Sequence, residues 1–89
     1  MMYPYMTFSD GTEVVHSQVI KENDTDKIIV HFERATENGF DSARCELPSY
    51  NWLLKEGYSQ EEIDFFEKFL RNNAHLLYKY AALGGIKIA

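Results

Sequence analysis

Ile28-Ile29-Val30-His31-Phe32-Glu33-Arg34-Ala35-Thr36-Glu37-Asn38-Gly39-Phe40-Asp41-Ser42-Ala43-Arg44-Cys45-Glu46-Leu47 is the stretch whose reading decides the fold. Two β-rich runs, Ile28 to Arg34 and Phe40 to Leu47, flank Asn38-Gly39. A type I′ hairpin turn prefers that dipeptide because both central residues take positive φ. Pairing Glu37 with Phe40 sets Phe32 opposite Cys45 and Val30 opposite Leu47 on an apolar face. The other parity sets Glu33 opposite Arg44 and His31 opposite Glu46. One apolar face and one face of opposite-charge pairs is the pattern of a half-buried hairpin.

Working outward, Tyr3 to Phe8 and Glu13 to Ile20 form a second pair of runs around Ser9-Asp10-Gly11-Thr12. Asp-Gly between extended runs is again a hairpin signal. The polar acidic turn from Glu22 to Asp26 joins the two hairpins. Met6 opposite Val15, Tyr5 opposite His16 and Val19 opposite Ile28 complete the register. His16 then faces His31, and Val15 faces Phe32. The expected inner face is Met6, Phe8, Val15, Val19, Ile28, Val30, Phe32, Ala43, Cys45 and Leu47. The expected outer face is Tyr3, Tyr5, His16, Gln18, His31, Glu33, Arg44 and Glu46.

Pro48 ends the fourth run because it cannot donate to a ladder. Ser49 then caps a short helix over Tyr50 to Glu56, stopped by Gly57. Ser59-Gln60-Glu61-Glu62 is a capping box, with Tyr58 and Ile63 placed as a hydrophobic staple. Ile63, Phe66, Leu70, Leu77 and Ala81 make one helical stripe, widened by Phe65, Phe69 and Leu76. Gly84-Gly85 stops that helix, and Arg71-Asn72-Asn73 is where it would break in two. Ile86-Lys87-Ile88 reads as a short edge strand or a frayed tail. The expected architecture is α+β: a four-stranded antiparallel β-meander followed by two or three helices packed on one sheet face. The chain is one domain over 1–89, with sheet in 1–48, helices in 49–83 and a tail in 84–89.

Composition agrees with a single globular unit: 89 residues, 45% hydrophobic and 26% charged. So short a chain has no room for a large internal cofactor pocket, and no cofactor is expected. No apolar run approaches the roughly 20 residues of a membrane helix, and no basic-then-apolar leader opens the chain. One cysteine excludes an intramolecular disulfide and a Cys-rich zinc site. These features lead to the expectation of a cytoplasmic protein. The net charge of −5 argues against a protein that coats nucleic acid.

In the expected register, the outer sheet face gathers the residues with chemistry. His16, His31, Glu33 and Arg44, beside Tyr5 and Glu46, would place imidazole, carboxylate and guanidinium on a rigid surface. Such a set suits general acid–base cleavage of a phosphodiester, with His moving the proton and Arg holding developing negative charge. The competing reading is a solvated face of cross-strand ion pairs, which needs no function. No nucleophile or phosphate loop stands beside these residues. His16 and His31 with Glu33 or Glu46 is too loose a set to mark zinc, His75 lies on the helix, and no metal is expected. Asp24-Thr25-Asp26 lacks the calcium-loop pattern. Cys45 points inward and reads as an inert small hydrophobe. Aromatics are 15% of the chain. Tyr3, Tyr5, Tyr50, Tyr58, Tyr78 and Tyr80 are hard to bury together, and surface tyrosines serve partner contacts well.

Asp10-Gly11, Phe32-Glu33-Arg34, Asn38-Gly39-Phe40, Cys45-Glu46-Leu47-Pro48 and Tyr58-Ser59-Gln60-Glu61-Glu62 give the chain a look that resembles small single-domain bacterial proteins of no settled function. That resemblance implies no catalytic residue. The layout also resembles small domains of toxin–antitoxin pairs or mobile elements, without their catalytic motifs.

The expected function is therefore a non-enzymatic protein-interaction module, with a protein partner or a second copy as its target. Tyr5, His16, His31, Arg44 and Glu46 would make the contact, together with the edge strand Tyr3 to Phe8. The alternatives are a toxin-like ribonuclease using His16, His31, Glu33 and Arg44, and an acidic mimic of nucleic-acid phosphates.

Overall fold

The computed structural model describes residues 2–85. Its elements are β1 (Met2–Thr7), β2 (Glu13–Ser17), β3 (Ile20–Glu22), β4 (Thr25–Thr36), β5 (Gly39–Leu47), β6 (Asn51–Glu56) and α1 (Gln60–Leu83). The six strands form one antiparallel sheet in the order β1-β2-β4-β5-β6, with β3 pairing the start of β4. This corrects the expected four strands and two or three helices: the sheet has six strands and a single helix follows. The expected tail strand Ile86-Lys87-Ile88 lies outside the described residues.

The first correction is local. Asn51–Glu56 is strand β6, hydrogen-bonded along β5, and not a helix. Trp52-Leu53-Leu54 is too short for its period to choose between strand and helix. A helix of seven residues is marginal without tertiary support, whereas the outer ladder groups of β5 need partners. Trp52 packs against the core and Leu53 is exposed.

The second correction concerns register. In β4–β5 the two-residue loop is Glu37-Asn38, with Thr36 opposite Gly39. This slides β5 by two residues, so Phe32 faces Ala43 and His31 faces Arg44. A slide of two keeps every side chain on its expected face. The turn with two positive φ values is instead Asn23-Asp24, at 51° and 62°, joining β3 to β4.

Beside that turn the expected register holds: Ile20 pairs with Lys27, in step with Val19 opposite Ile28. Four residues further back, His16 pairs with Val30, three residues along β4. One extra residue is therefore absorbed between β2 and β3, as in a β-bulge. Ser17 bridges the gap: its Oγ accepts from the Ile29 amide at 2.9 Å and donates to the Gln18 carbonyl at 2.8 Å. Beyond the bulge every side chain of β2 changes face. Val14, not Val15, sits opposite Phe32 and is fully buried, and His16 turns into the core.

The helix forms as its signals direct. Ser59 accepts from the Glu62 amide, Glu62 accepts from the Ser59 amide, and Gly84 closes the helix at φ 79°. The Gly85 amide donates to the Tyr80 carbonyl at 2.7 Å, the long bond of a Schellman end. Ile63, Phe66, Leu70, Leu77 and Ala81 are the buried stripe. The helix runs unbroken through Asn72-Asn73, and Asn73 Nδ2 donates to the Phe69 carbonyl at 2.9 Å. At 24 residues it is about 36 Å long, nearly the 38 Å longest dimension of the molecule. Phe32 and Phe66 stack across the layers with centroids 4.2 Å apart and planes 6° apart. Phe8 stacks on both, and Phe69 meets Phe8 and Phe32 edge-on. A thickness of 22 Å holds two layers, and among the described residues nothing covers the other side of the sheet.

Candidate functional site

The helix covers the face bearing Val14, His16, Ile28, Val30, Phe32, Ala43, Cys45 and Leu47. The alternate residues form the open face. Its central row crosses five strands: Pro4, Val15, His31, Arg44 and Leu54 stand in register. The next row is Thr7, Glu13, Glu33, Ser42 and Glu56. Glu13 thus faces Glu33 directly, an arrangement that costs stability between like charges. Ser42 relieves Glu33 by donating to its Oε2 at 3.1 Å.

The expected sites divide between the two sides. His31, Glu33, Arg44 and Glu46 share the open face. His16 and Tyr5 lie on the covered face, a consequence of the bulge after β2. His16 is fully buried between Tyr3 and Tyr5, at centroid distances of 5.7 and 6.4 Å. Its Nδ1–H donates to the Ser17 carbonyl at 2.8 Å. Nε2 has no partner. Tyr5 donates to Asn73 Oδ1 at 2.8 Å. Burial, then the nearby Tyr80, raises its hydroxyl above the usual tyrosine value. The sheet therefore separates His16 from His31, and the set His16, His31, Glu33 and Arg44 is not assembled.

On the open face, burial and then Arg44 hold His31 below the ordinary histidine value, against an upward pull from Glu33. The expected Glu33–Arg44 pair does not form, since Arg44 stands opposite His31. Arg44 is exposed, and among the described residues no carboxylate lies within ion-pair distance of it. Glu46 is committed to Lys27 at 3.5 Å, and Lys27 also meets Glu22 at 3.2 Å. Among the described residues no group of three or more His, Cys, Asp or Glu is placed to hold a metal. Cys45 is buried, and burial pushes its thiol up to about 12, which disfavours the reactive thiolate. Among the described residues no helix is long and apolar enough to cross a membrane.

Both sheet edges carry features that discourage further pairing. β1 has Pro4, which offers no N–H, and a register break around Tyr5. β6 has a register break at Leu53, opposite Arg44 and Cys45.

One cluster escaped the sequence reading. Arg34 binds Asp41 through Nε and Nη2 at 3.0 and 2.7 Å, and reaches Asp10 and Glu62 through Nη1 at 3.0 and 2.8 Å. Its guanidinium also lies 4.8 Å from the Tyr58 ring centroid. These bonds to Asp41 and then Glu62 hold the guanidinium firmly protonated. The signal was the pairing of Arg34 with Asp41, which appears only in the observed register. The cluster ties the β1–β2 loop and the start of α1 to the central hairpin. Between that loop and α1 lies an open cleft of about 390 Å³, lined by Phe8, Asp10, Ser59, Glu61, Glu62 and Phe65 among others.

No family model, curated protein or solved structure matches the chain. Its function is read from this geometry alone.

Proposed function

We propose that this chain is a non-catalytic interaction module that docks through the open face of its sheet, with a second copy of itself as the first partner to test. The observation that carries the reading is Arg44. It is an exposed guanidinium with no ion-pair partner among the described residues, standing between His31 and Leu54 and one row from Glu13, Glu33 and Glu56. Arginine on a surface beside an apolar neighbour, here Leu54 on β6, is a frequent anchor of protein contacts. In an antiparallel face-to-face pair, the Arg44 row of each copy meets the Glu13–Glu33–Glu56 row of the other. A two-fold contact requires such self-complementarity.

Five strands at about 4.8 Å spacing and a strand length near 20 Å give a contact of about 500 Å² per copy. That is below the roughly 800 Å² per partner of a standard interface, so the dimer would be reversible. The separation of His16 from His31 counts against phosphodiester cleavage. The acidic-mimic reading is weakened because Asp10, Asp41, Glu62, Glu22 and Glu46 already bind Arg34 or Lys27.

Sedimentation analysis over a concentration series tests the proposal. Self-association should be lost in Arg44→Glu and recovered when Glu33→Arg is added. A chain that stays monomeric to millimolar concentration, or an Arg44→Glu variant that associates like the parent, would overturn the homodimer.

A further inference from the structure

The cleft between the β1–β2 loop and the first turns of α1 lies away from the open sheet face. Its floor is aromatic: Phe8 and Phe66 stack with centroids 6.0 Å apart, and Phe65 meets both edge-on. Phe65 is 56% exposed although it stands in a helix whose neighbouring face is buried. The rim is acidic: Asp10 from the loop, and Glu61 and Glu62 from the helix. Asp10 and Glu62 on the rim and Asp41 behind it share one cation, Arg34, and Glu61 adds a carboxylate that Arg34 does not bind. The positive end of α1 adds only about half a charge, so the cleft keeps a negative excess. Asp10 and Glu62 also spend oxygens on the Thr12 and Ser59 amides. Glu61 has no such partner among the described residues.

We infer that this cleft receives an arginine side chain, flanked by an apolar residue, from a segment of a partner protein. Charge complementarity selects a cationic side chain. A guanidinium lays its flat face on the exposed Phe65 ring while its N–H groups reach the carboxylate of Glu61. The neighbouring apolar side chain covers the Phe8 edge. The openness of the cleft, with Ser9, Asp10, Ser59, Glu61 and Phe65 all exposed, suits a side chain presented on a protein surface. Free small ligands need fuller enclosure.

The test is a titration of the full chain, labelled with ¹⁵N, with N-acetyl-leucyl-arginine amide. The citrulline analogue, equal in shape but uncharged, is the control. Amide shifts should concentrate at residues 8–11 and 59–66. Binding should weaken at least tenfold with citrulline, in Glu61→Gln and in Phe65→Ala, and should decline with added salt. Both side chains are exposed, and the amide spectrum itself reports that each variant is folded. Equal binding of arginine and citrulline, shifts that map to the open sheet face, or no shifts at millimolar peptide would each overturn the inference. None of those results bears on self-association through Arg44.

Discussion

The Tyr5 hydroxyl donates to Asn73 Oδ1 at 2.8 Å, joining the irregular point of the edge strand to the middle of the helix, 68 residues later. Asn73 in turn holds the Phe69 carbonyl through Nδ2. One asparagine therefore fixes β1 against α1. Tyr5→Phe and Asn73→Ala should each cost about 1 kcal/mol. In a double-mutant cycle by urea unfolding, the two losses should not add. Additive losses would mean that the bond contributes nothing.

Arg34 holds three carboxylates. Arg34→Gln should lower stability by about 1–2 kcal/mol, because it leaves Asp10, Asp41 and Glu62 facing one another. Salt screens that repulsion, so the gap to the parent should narrow between low and high ionic strength. A gap unchanged by salt would assign the loss to packing on Tyr58.

The same cluster sets the response to acid. Backbone amides first, Thr12 for Asp10 and Ser59 for Glu62, and then Arg34, hold both carboxyls below their ordinary values of 3.8 and 4.5. Their contribution is complete above those values and is lost as pH falls through the lower folded-state values. Asp10→Asn with Glu62→Gln should flatten the acid limb of a melting-temperature series. An equally steep limb in the variant would place the acid sensitivity elsewhere.

His31 acts at higher pH. Burial and the opposing Arg44 lower its folded-state value from 6.5. Its neutral form is favoured by folding, so stability is complete above about 6.5 and declines as pH falls toward the folded value, then levels. Followed by imidazole NMR, the His31 titration should move up in Arg44→Gln and down in Glu33→Gln. Movement in the opposite direction for either variant would contradict the placement of these three residues.

Val14 and Val15 give the sharpest check on the register. Val14→Lys buries an unpaired charge beside Phe32 and should prevent folding, whereas Val15→Lys, on the open face, should change stability by no more than about 0.5 kcal/mol. Thermal unfolding of the pair distinguishes them, and the reverse order would restore the register expected from the sequence.

Legibility followed the range of the signals. The helix was fully marked, since Ser59, Glu62, the Ile63-to-Ala81 stripe and Gly84 are local and agree with one another. The β4–β5 hairpin kept its faces despite a two-residue slide, because alternation reports parity and not register. Strand β6 was missed because an apolar run of three residues has no period and its fate depends on the free edge of β5. The exchange of faces in β2 was missed for a related reason. The bulge at Ser17 is stabilised by the Ile29 amide twelve residues away, and nothing near Ser17 in the chain announces it. That single residue moved His16 and Tyr5 off the candidate site while leaving His31, Glu33 and Arg44 on it.

Cys45, sealed beneath the helix with its thiol raised to about 12, turns the chain into its own clock. A thiol reagent in neutral buffer meets no reactive sulfur until the two layers part. The labelling rate therefore counts openings of the core, with no engineered probe and no change to either proposed contact surface.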